Sequence, residues 1–455
     1  MSKCSRGKSA RSQGVEFAAV VWAVRHPGSV AVPSALVASL SHLGPTTTGM
    51  VLGGAAAGLG AWYRAHPDTF DTYAAPVLRA WRRRWAGAYT GRRWSDLMGS
   101  CGLTRTHPRT GQVLVPRVVR VRSWSASVDT VRVRLVHGMS FKAFVDATDD
   151  LADTLRAERV AVERSAPGEV VLIVQRDEPF AHIIPSPELA DDVADVDPMS
   201  LYMGEDEFGR EYREPLYGTH FLRAGETGSG KNSLPAQRLR AAAPLIRAGL
   251  VRPWVIDPKM LEWGWLKPIL AGRYADNPGD GLELLNDFVT NMERKQKRMQ
   301  RAKLRKAPVS EEFPIDWLIF DEIGYAMAYQ SDYAHAICGQ TAIIASTGRT
   351  THDVIEALVQ EPTKDTVPVR ELLPHRVCLR VSSSSHPDMV LGDGMRARGA
   401  TADELPQGEE FAGIGFARAP KTRQPRRVRI AYTSDDQCSE LMSYLREPTT
   451  LRAVS

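Results

Sequence analysis

Apolar and polar positions follow several different periods along this chain. From Pro27 to Tyr63 there is no Asp, Glu, Lys or Arg over 37 residues. At ~20 residues per span this is too long for one membrane helix. The run divides at Gly44-Pro45 into PGSVAVPSALVASLSHL and TTTGMVLGGAAAGLGAWY, which predicts two short spans joined by a tight turn. Residues 113–122 (VLVPRVVRVR) and 128–136 (VDTVRVRLV) alternate apolar and charged positions, as half-buried strands do. SFKAFVDATDDLADTLRAE predicts an amphipathic helix with Ser140 as its cap. RVAVERS and EVVLIVQR predict two more strands around a Pro167-Gly168 turn. The resulting β-β-α-β-β unit carries no catalytic constellation, and an assembly or adaptor role follows by default.

Charge changes this picture at the front of the chain. Residues 1–120 hold 16 Lys/Arg against 4 Asp/Glu, a net of +12, so the remainder carries −7 of the overall +5. A basic front end on a mildly acidic body suits an anionic surface, lipid or nucleic acid. Lys3, Arg6, Lys8, Arg11 and Arg25 precede the uncharged run; Arg64, Arg79, Arg82, Arg83, Arg84, Arg92 and Arg93 follow it. Positive charge on both sides predicts both ends in the cytoplasm and an even number of spans. Residues 64–95 are basic and rich in Trp and Tyr, which suits anionic headgroups or DNA. A cleaved signal peptide does not fit, because the stretch EFAAVVWAV is short and contains Glu16. The composition is 43% hydrophobic and 24% charged over 455 residues, which excludes a mainly disordered chain and allows two to four domains. Five separated cysteines without a CxxC pair argue against a disulfide framework or a zinc cluster.

The candidate chemistry lies in residues 225–233, GETGSGKNS. Gly225, four residues, Gly230 and Lys231 form the spacing of a phosphate-binding loop. Gly225, Gly228 and Gly230 permit the backbone angles that turn N–H groups toward phosphates, with Glu226, Thr227 and Ser229 between them. Lys231 would reach the β- and γ-phosphates, and a helix starting there adds its positive end. THFLRAG before the loop predicts a strand, and NSLPAQRLRAAAPLIRAG after it a helix. The position that usually supplies a magnesium-binding hydroxyl is Asn232, with Ser233 one place later. Residues 315–322, IDWLIFDE, predict an apolar strand ending in Asp321-Glu322. Asp321 is then the magnesium ligand and Glu322 the group that activates water.

These motifs, with WVIDPKMLEW (254–263), VTNMERKQKRM (289–299), GEDEFGREYREPLYGTHFLRAGETGSGK (204–231), ALVQEP (357–362) and LLPHRVCLRVSSSSHPDMVLGDGMRARGA (372–400), resemble the FtsK/SpoIIIE family of double-stranded DNA translocases. VQEPTKDTVPVRELLP and DMVLGDG look most like the actinobacterial plasmid-transfer, TraB-like branch. The resemblance covers roughly residues 110–445. It implies a RecA-like α/β phosphate-loop core at 191–455, preceded by a small α+β domain at 111–190, basic aromatic-rich linker helices at 67–110 and a membrane hairpin within 1–66. It further implies ATP and Mg2+ as cofactors, Gln360 as a sensor, a homo-hexameric ring on duplex DNA, and attachment to the plasma membrane with the motor in the cytoplasm. Arg349, Arg376 and Arg380 are candidates for an arginine donated to a neighbouring subunit.

The function so implied is ATP-driven movement of duplex DNA, for conjugative plasmid transfer or DNA segregation. A coupling ATPase for single strands is a second reading. The third is a membrane scaffold that binds nucleotide or DNA with weak or no hydrolysis, suggested by Asn232, by Glu226 beside the phosphates and by Arg223 before the loop. The Thr-rich TAIIASTGRTTHD (341–353) is unusual for a helix. The chain stops at Ser455 soon after the core, so little DNA sequence preference is expected. RKQKRMQRAKLRK (294–306), with eight basic residues, and RAPKTRQPRRVR (418–429), with six, are candidate DNA contacts or ordinary solvated faces.

Overall fold

Two strands of one sheet, each ending in chemistry-bearing residues, organise the larger part of this molecule. The computed structural model describes residues 27–86, 89–260, 262–306, 308–329, 331–419 and 423–446. The basic N-terminus through Arg25, Cys4 and Lys421 lie outside the described residues. The chain divides into two units, 1–78 and 79–455.

In the first unit, helix α1 (Pro27–Ala65) breaks at Gly44, whose φ of 77° no β-carbon-bearing residue adopts easily. Ser39 Oγ and Thr48 Oγ1 are 3.0 Å apart across the break. A continuous helix would separate those positions by roughly 13 Å, so the two arms fold back on each other. The expected membrane-spanning hairpin needs correction, however. No helix among the described residues is long and apolar enough to cross a membrane. The physical reason is composition: Gly, Ala, Ser and Thr fill the arms, and each contributes little to transfer into hydrocarbon.

The second unit begins with helices that include α2 (Gly91–Ser100). Strands β1 (Arg117–Ser123), β2 (Val128–Arg134), β3 (Arg159–Ala166) and β4 (Glu169–Gln175) form an antiparallel sheet in the order β1-β2-β4-β3. Helices α3 (Phe141–Val145) and α4 (Thr148–Leu155) lie between β2 and β3. Alternation places Val121, Val131, Val133, Val162 and Leu172 on one face, packed with Phe144, Leu151, Trp94 and Met98. Two local differences from the sequence pattern have simple causes. Pro116 separates the short strand Val113–Leu114 from β1, because proline cannot donate to a ladder. The single helix expected after Ser140 breaks near Ala147, although Ser140 does cap α3 by accepting from the Ala143 N–H at 3.3 Å.

A ten-stranded sheet follows. Its strands are β5 (Leu201–Asp206), β6 (Glu211–Glu214), β7 (Phe221–Ala224), β8 (Val251–Ile256), β9 (Tyr274–Ala275), β10 (Ile315–Phe320), β11 (Asp353–Val359), β12 (His375–Leu379), β13 (Ile414–Arg418) and β14 (Pro425–Ile430). The order is β9-β8-β10-β11-β7-β12-β13-β14-β5-β6. The six strands from β9 to β12 run parallel; the remaining pairings are antiparallel. Helices cover the parallel part on both faces, which is why β7, β10 and β11 are buried along their whole length. The fold is thus α/β, built on one large mixed sheet.

Helix α5 (Ser233–Ala241) carries the chain away from β7, and α6 (Pro278–Arg301) and α7 (Ser331–Thr347) pack on the other face. The Thr-rich stretch is helical to Thr347, with its hydroxyls turned back onto carbonyls of the preceding turn. Thr341 donates to Ile337 O at 2.7 Å and Thr347 to Ile343 O at 2.8 Å. Cys101, Cys338, Cys378 and Cys438 are free thiols.

Candidate functional site

The glycine loop leaves β7 at its C-terminal end and enters α5. Gly225 N–H donates to Val359 O at 3.0 Å, which ties the loop to the end of β11. Glu226 N–H donates to Arg380 O at 2.9 Å, tying it to the residue after β12. Gly228 and Gly230 adopt φ of 73° and 83°. A β-carbon on Gly230 would stand 2.5 Å from Gly413 N, so glycine is required there for close approach as well as for conformation. Among the described residues the N–H groups of Thr227, Gly228, Gly230, Lys231 and Asn232 donate to no protein acceptor. Ser229 Oγ and Asn232 Oδ1 are buried polar atoms likewise without a partner. Unpaired donors crowded at a helix start are what a bound polyphosphate satisfies.

Strand β10 delivers Asp321 and Glu322 to the same place. Lys231 Nζ approaches Glu322 Oε2 at 3.5 Å. Glu322 holds a left-handed φ of 46°, a strained conformation for a side chain of this size. Burial pushes the Asp321 carboxyl up to about 6, against the pull of Lys231 and with the repulsion of Glu322. Gln360 follows β11 and lines a cleft of ≈ 210 Å³ with Lys259, Glu322, Gly324, Tyr325 and Thr366. The structure therefore brings Lys231, Asp321 and Glu322 together, with Gln360 on the adjoining cleft. Ser233 begins α5 directly behind Lys231 and Asn232.

Three participants were not singled out from sequence. Lys259 Nζ lies 3.1 Å from Glu322 Oε2. Trp263 Nε1 donates to Asp321 Oδ2 at 3.3 Å, and its backbone N–H donates to Asp257 Oδ2 at 2.9 Å. All three sit in or beside the IDPK segment after β8, the strand neighbouring β10. The signal in the sequence was the Asp-Pro-Lys triplet closing an apolar strand; which acid its lysine reaches depends on strand order.

The residues that suggested a weakened site have partners. Arg380 forms an ion pair with Glu226 and donates to Pro406 O at 3.0 Å, so the Glu226 charge is offset beside the loop. Arg223 points from β7 into the opposite core, where Arg238 of α5 joins it in pairing with Glu214 and Glu356. All four side chains are fully buried. Burial alone would raise the Glu214 carboxyl, but the Arg223 and Arg238 guanidinium groups hold it well below the usual carboxylate range. Arg376 is also internal, donating to Leu373 O and Val390 O and pairing with Glu371. Arg349 is exposed.

The two basic runs are only partly surface features. Lys295 is buried against Asp316 at 2.6 Å and Asp353 at 2.7 Å, whereas Arg294, Lys297, Arg301, Lys303, Arg305 and Lys306 are exposed. In the second run Arg426 pairs with Glu163 and Glu207, Arg427 with Glu178, and Arg429 donates to Phe180 O. Burial demands such partners for a guanidinium, so neither run is a simple solvated face.

Strand, glycine loop, helix and an acidic pair at the end of the strand next but one define an ATPase-type α/β site. In sequence the chain is similar to DNA translocases named FtsK. It is 23% identical over 347 residues to that of Staphylococcus aureus (strain Mu50), covering 70% of this chain and 42% of the relative. It is 26% identical over 337 residues to that of Bacillus cereus, covering 68% and 40%. The chain thus spans less than half the length of these relatives. No protein-family model matches it. Among solved structures, the pCW3 conjugation coupling protein TcpA with ATPgS aligns over 73% of this chain and 94% of its own, at 18% identity and a TM-score of 0.48. The cytoplasmic domain of the type VII secretion ATPase EccC of Thermomonospora curvata aligns over 58% of this chain and 32% of its own, at 18% identity and a TM-score of 0.43.

Proposed function

We propose that this chain is an ATP-driven translocase of double-stranded DNA with a RecA-like motor core. The observation that carries the reading is the meeting of Lys231, Asp321 and Glu322 at the mouth of an N–H-lined glycine loop. ATP phosphates suit the Thr227–Asn232 donors and Lys231. Magnesium suits Asp321, with the Ser233 hydroxyl or the unpartnered Asn232 Oδ1 from the loop side. No group of three or more His, Cys, Asp and Glu side chains among the described residues could hold a metal by itself, so phosphate oxygens and water would complete the shell. Glu322 is the base for the attacking water. The similarity to relatives named DNA translocase FtsK supports DNA as the substrate; the duplex form and a setting in conjugative transfer or segregation belong to the proposal.

The reading includes a homo-hexamer, in which exposed Arg349 is the side chain available to a neighbour's γ-phosphate, whereas Arg376 and Arg380 are committed within their own chain. It also includes attachment to the plasma membrane through residues 27–65, with the motor cytoplasmic. Leu36, Val37, Leu40, Leu43, Met50 and Val51 are exposed along these arms and call for an apolar cover. Fractionation of expressing cells at low ionic strength tests that attachment: recovery in the soluble fraction alone speaks against it.

The test of the motor is ATP hydrolysis by the full chain with magnesium, without DNA, with duplex and with single strands, beside Lys231→Ala. Duplex stimulation lost in the variant supports the translocase. Stimulation by single strands alone points to a single-strand coupling ATPase. Turnover equal to the Lys231→Ala background from a folded, nucleotide-binding protein points to a scaffold.

A further inference from the structure

The exposed face of the small sheet carries arginines where cross-strand rules disfavour them. Arg120 of β1 lies directly opposite Arg132 of β2. Like charges in register across strands repel. Arg134 escapes this penalty by pairing with Glu169 on its other neighbour, at 2.8 Å. Arg120, Arg122 and Arg132 are exposed and have no acidic partner within ion-pair distance among the described residues. Instead Arg122 sits 3.5 Å above the Trp124 ring, and Trp124 stacks on Phe208 with centroids 4.7 Å apart. Arg210 flanks both rings, at 5.3 Å and 4.8 Å. Burial and the charges of Arg120 and Arg210 together pull the Arg122 guanidinium below its usual value. Arg210 is itself paired with Asp206 at 2.5 Å, so the uncompensated charge of this face is that of Arg120, Arg122 and Arg132, bordered by Trp124.

We propose that this face binds the phosphodiester backbone of duplex DNA, and that Arg120, Arg122 and Arg132 are its phosphate contacts. The proposal rests on the translocase reading and adds a DNA-binding surface outside the nucleotide site. Charge complementarity selects a polyanion: phosphates are the missing counter-ions of the Arg120–Arg132 pair, and guanidinium groups grip phosphate oxygens in bidentate fashion. A bilayer is disfavoured as the occupant. Surface-bound proteins add inserted apolar side chains to their basic ones. Strands β1 to β4 expose no large apolar residue, and Trp124 is covered on both faces by Arg122 and Phe208. The rest of this sheet face is closed off by Val128, Ala161 and Ile173 packing with Phe208.

The experiment compares the full wild-type chain with an Arg120→Gln/Arg122→Gln/Arg132→Gln variant. Anisotropy of a short fluorescent duplex is followed across a salt series, vesicles containing phosphatidylserine are tested in flotation, and Tm is recorded. The expected result is a loss of duplex affinity of at least about tenfold and a log–log salt slope shallower by about 1 for each contact removed. Because removing the like-charge pair relieves repulsion, Tm stays level or rises. The corresponding triple lysine variant retains most of the affinity. Unchanged affinity and slope, a selective loss of vesicle binding, or a fall in Tm that accounts for the lost affinity would overturn the proposal. A wild-type chain that binds no duplex at all would overturn the translocase reading with it, whereas wild-type binding unaffected by the substitutions removes only this surface.

Discussion

Lys259 Nζ stands 3.1 Å from Glu322 Oε2, the same oxygen that Lys231 Nζ approaches at 3.5 Å. One carboxylate oxygen is therefore shared by two lysines from the loops that follow two different strands, β7 and β8. When phosphates draw Lys231 toward the loop, Lys259 remains as the cation that holds and aims the Glu322 carboxylate. Lys259→Met is expected to lower kcat for ATP hydrolysis about tenfold while nucleotide affinity changes less than about twofold, with Lys259→Arg falling between. Equal losses in turnover and nucleotide binding would instead make Lys259 a phosphate ligand.

The glycine loop offers a graded steric test. At Gly230 a β-carbon meets Gly413 N at 2.5 Å; at Gly228 the nearest atom is Arg380 Nη2, at 3.6 Å, the end of a flexible side chain. Both glycines have positive φ. Gly230→Ala should cost about 1–3 kcal/mol and abolish nucleotide binding, whereas Gly228→Ala should cost about 1 kcal/mol and only weaken it. Chemical denaturation with nucleotide titration of each variant reads the difference. Equal effects would mean that the Gly413 contact yields readily.

Arg380 and Glu226 should be unequal partners. Removing Glu226 leaves a cation near phosphate, which is harmless. Removing Arg380 leaves a carboxylate there unopposed, and at short range in a partly buried site that repulsion is worth more than 1 kcal/mol. Arg380→Ala is expected to raise the KM for ATP about tenfold, and Glu226→Ala to change it by less than about threefold. Steady-state kinetics of the two single variants and the double variant decide this. The double variant should recover most of the loss.

Two buried histidines predict how stability depends on pH. Burial, with the Arg349 charge, lowers His220 to about 4. Burial also lowers His375 to about 4, despite the nearby Glu214. In the unfolded chain each titrates near the ordinary value of about 6.5. Between pH 6.5 and 4 the unfolded state therefore binds protons that the folded state does not. Their stabilising effect is complete above pH 6.5 and is lost on descending to pH 4, at up to about 1.4 kcal/mol per pH unit for each. Asp321 and Asp353, both raised to about 6 chiefly by burial, act in the opposite sense over pH 6 to 4. The stability advantage of the wild type over His220→Asn, read from urea midpoints, should therefore shrink as pH falls from 6.5 to 4. A difference that stays constant across this range would show that His220 takes up its proton at the same pH in the folded and unfolded chain.

What could be read from sequence had a local cause. The Gly225–Lys231 loop was legible because glycines at fixed spacing encode a backbone shape without help from the rest of the chain. Asp321 and Glu322 were legible because an unbroken apolar run before them predicts a strand buried on both faces. Residues 27–63 were legible as two arms about Gly44, but the absence of charge overstated how apolar those arms are.

Contacts between distant segments were not legible. Lys295 reads as one cation among eight, yet it is buried between Asp316 and Asp353. Arg223 reads as a defect before the loop, yet it completes a buried cluster with Glu214, Arg238 and Glu356. Arg120 and Arg132 look like ordinary outward positions of two strands until register sets them opposite each other. The sequence by itself determined the strand, loop and helix that present Lys231 and the acids that face it, because those depend on residues adjacent along the chain. Only the tertiary structure decided that β8 lies beside β10 and β11 beside β7, and with that order which lysine reaches Glu322, which strand carries Gln360 to the cleft, and which charges are neutralised. Strand order is a property of long-range packing, in which each element buries its apolar faces against whichever neighbours complete the core, and no local pattern records that choice.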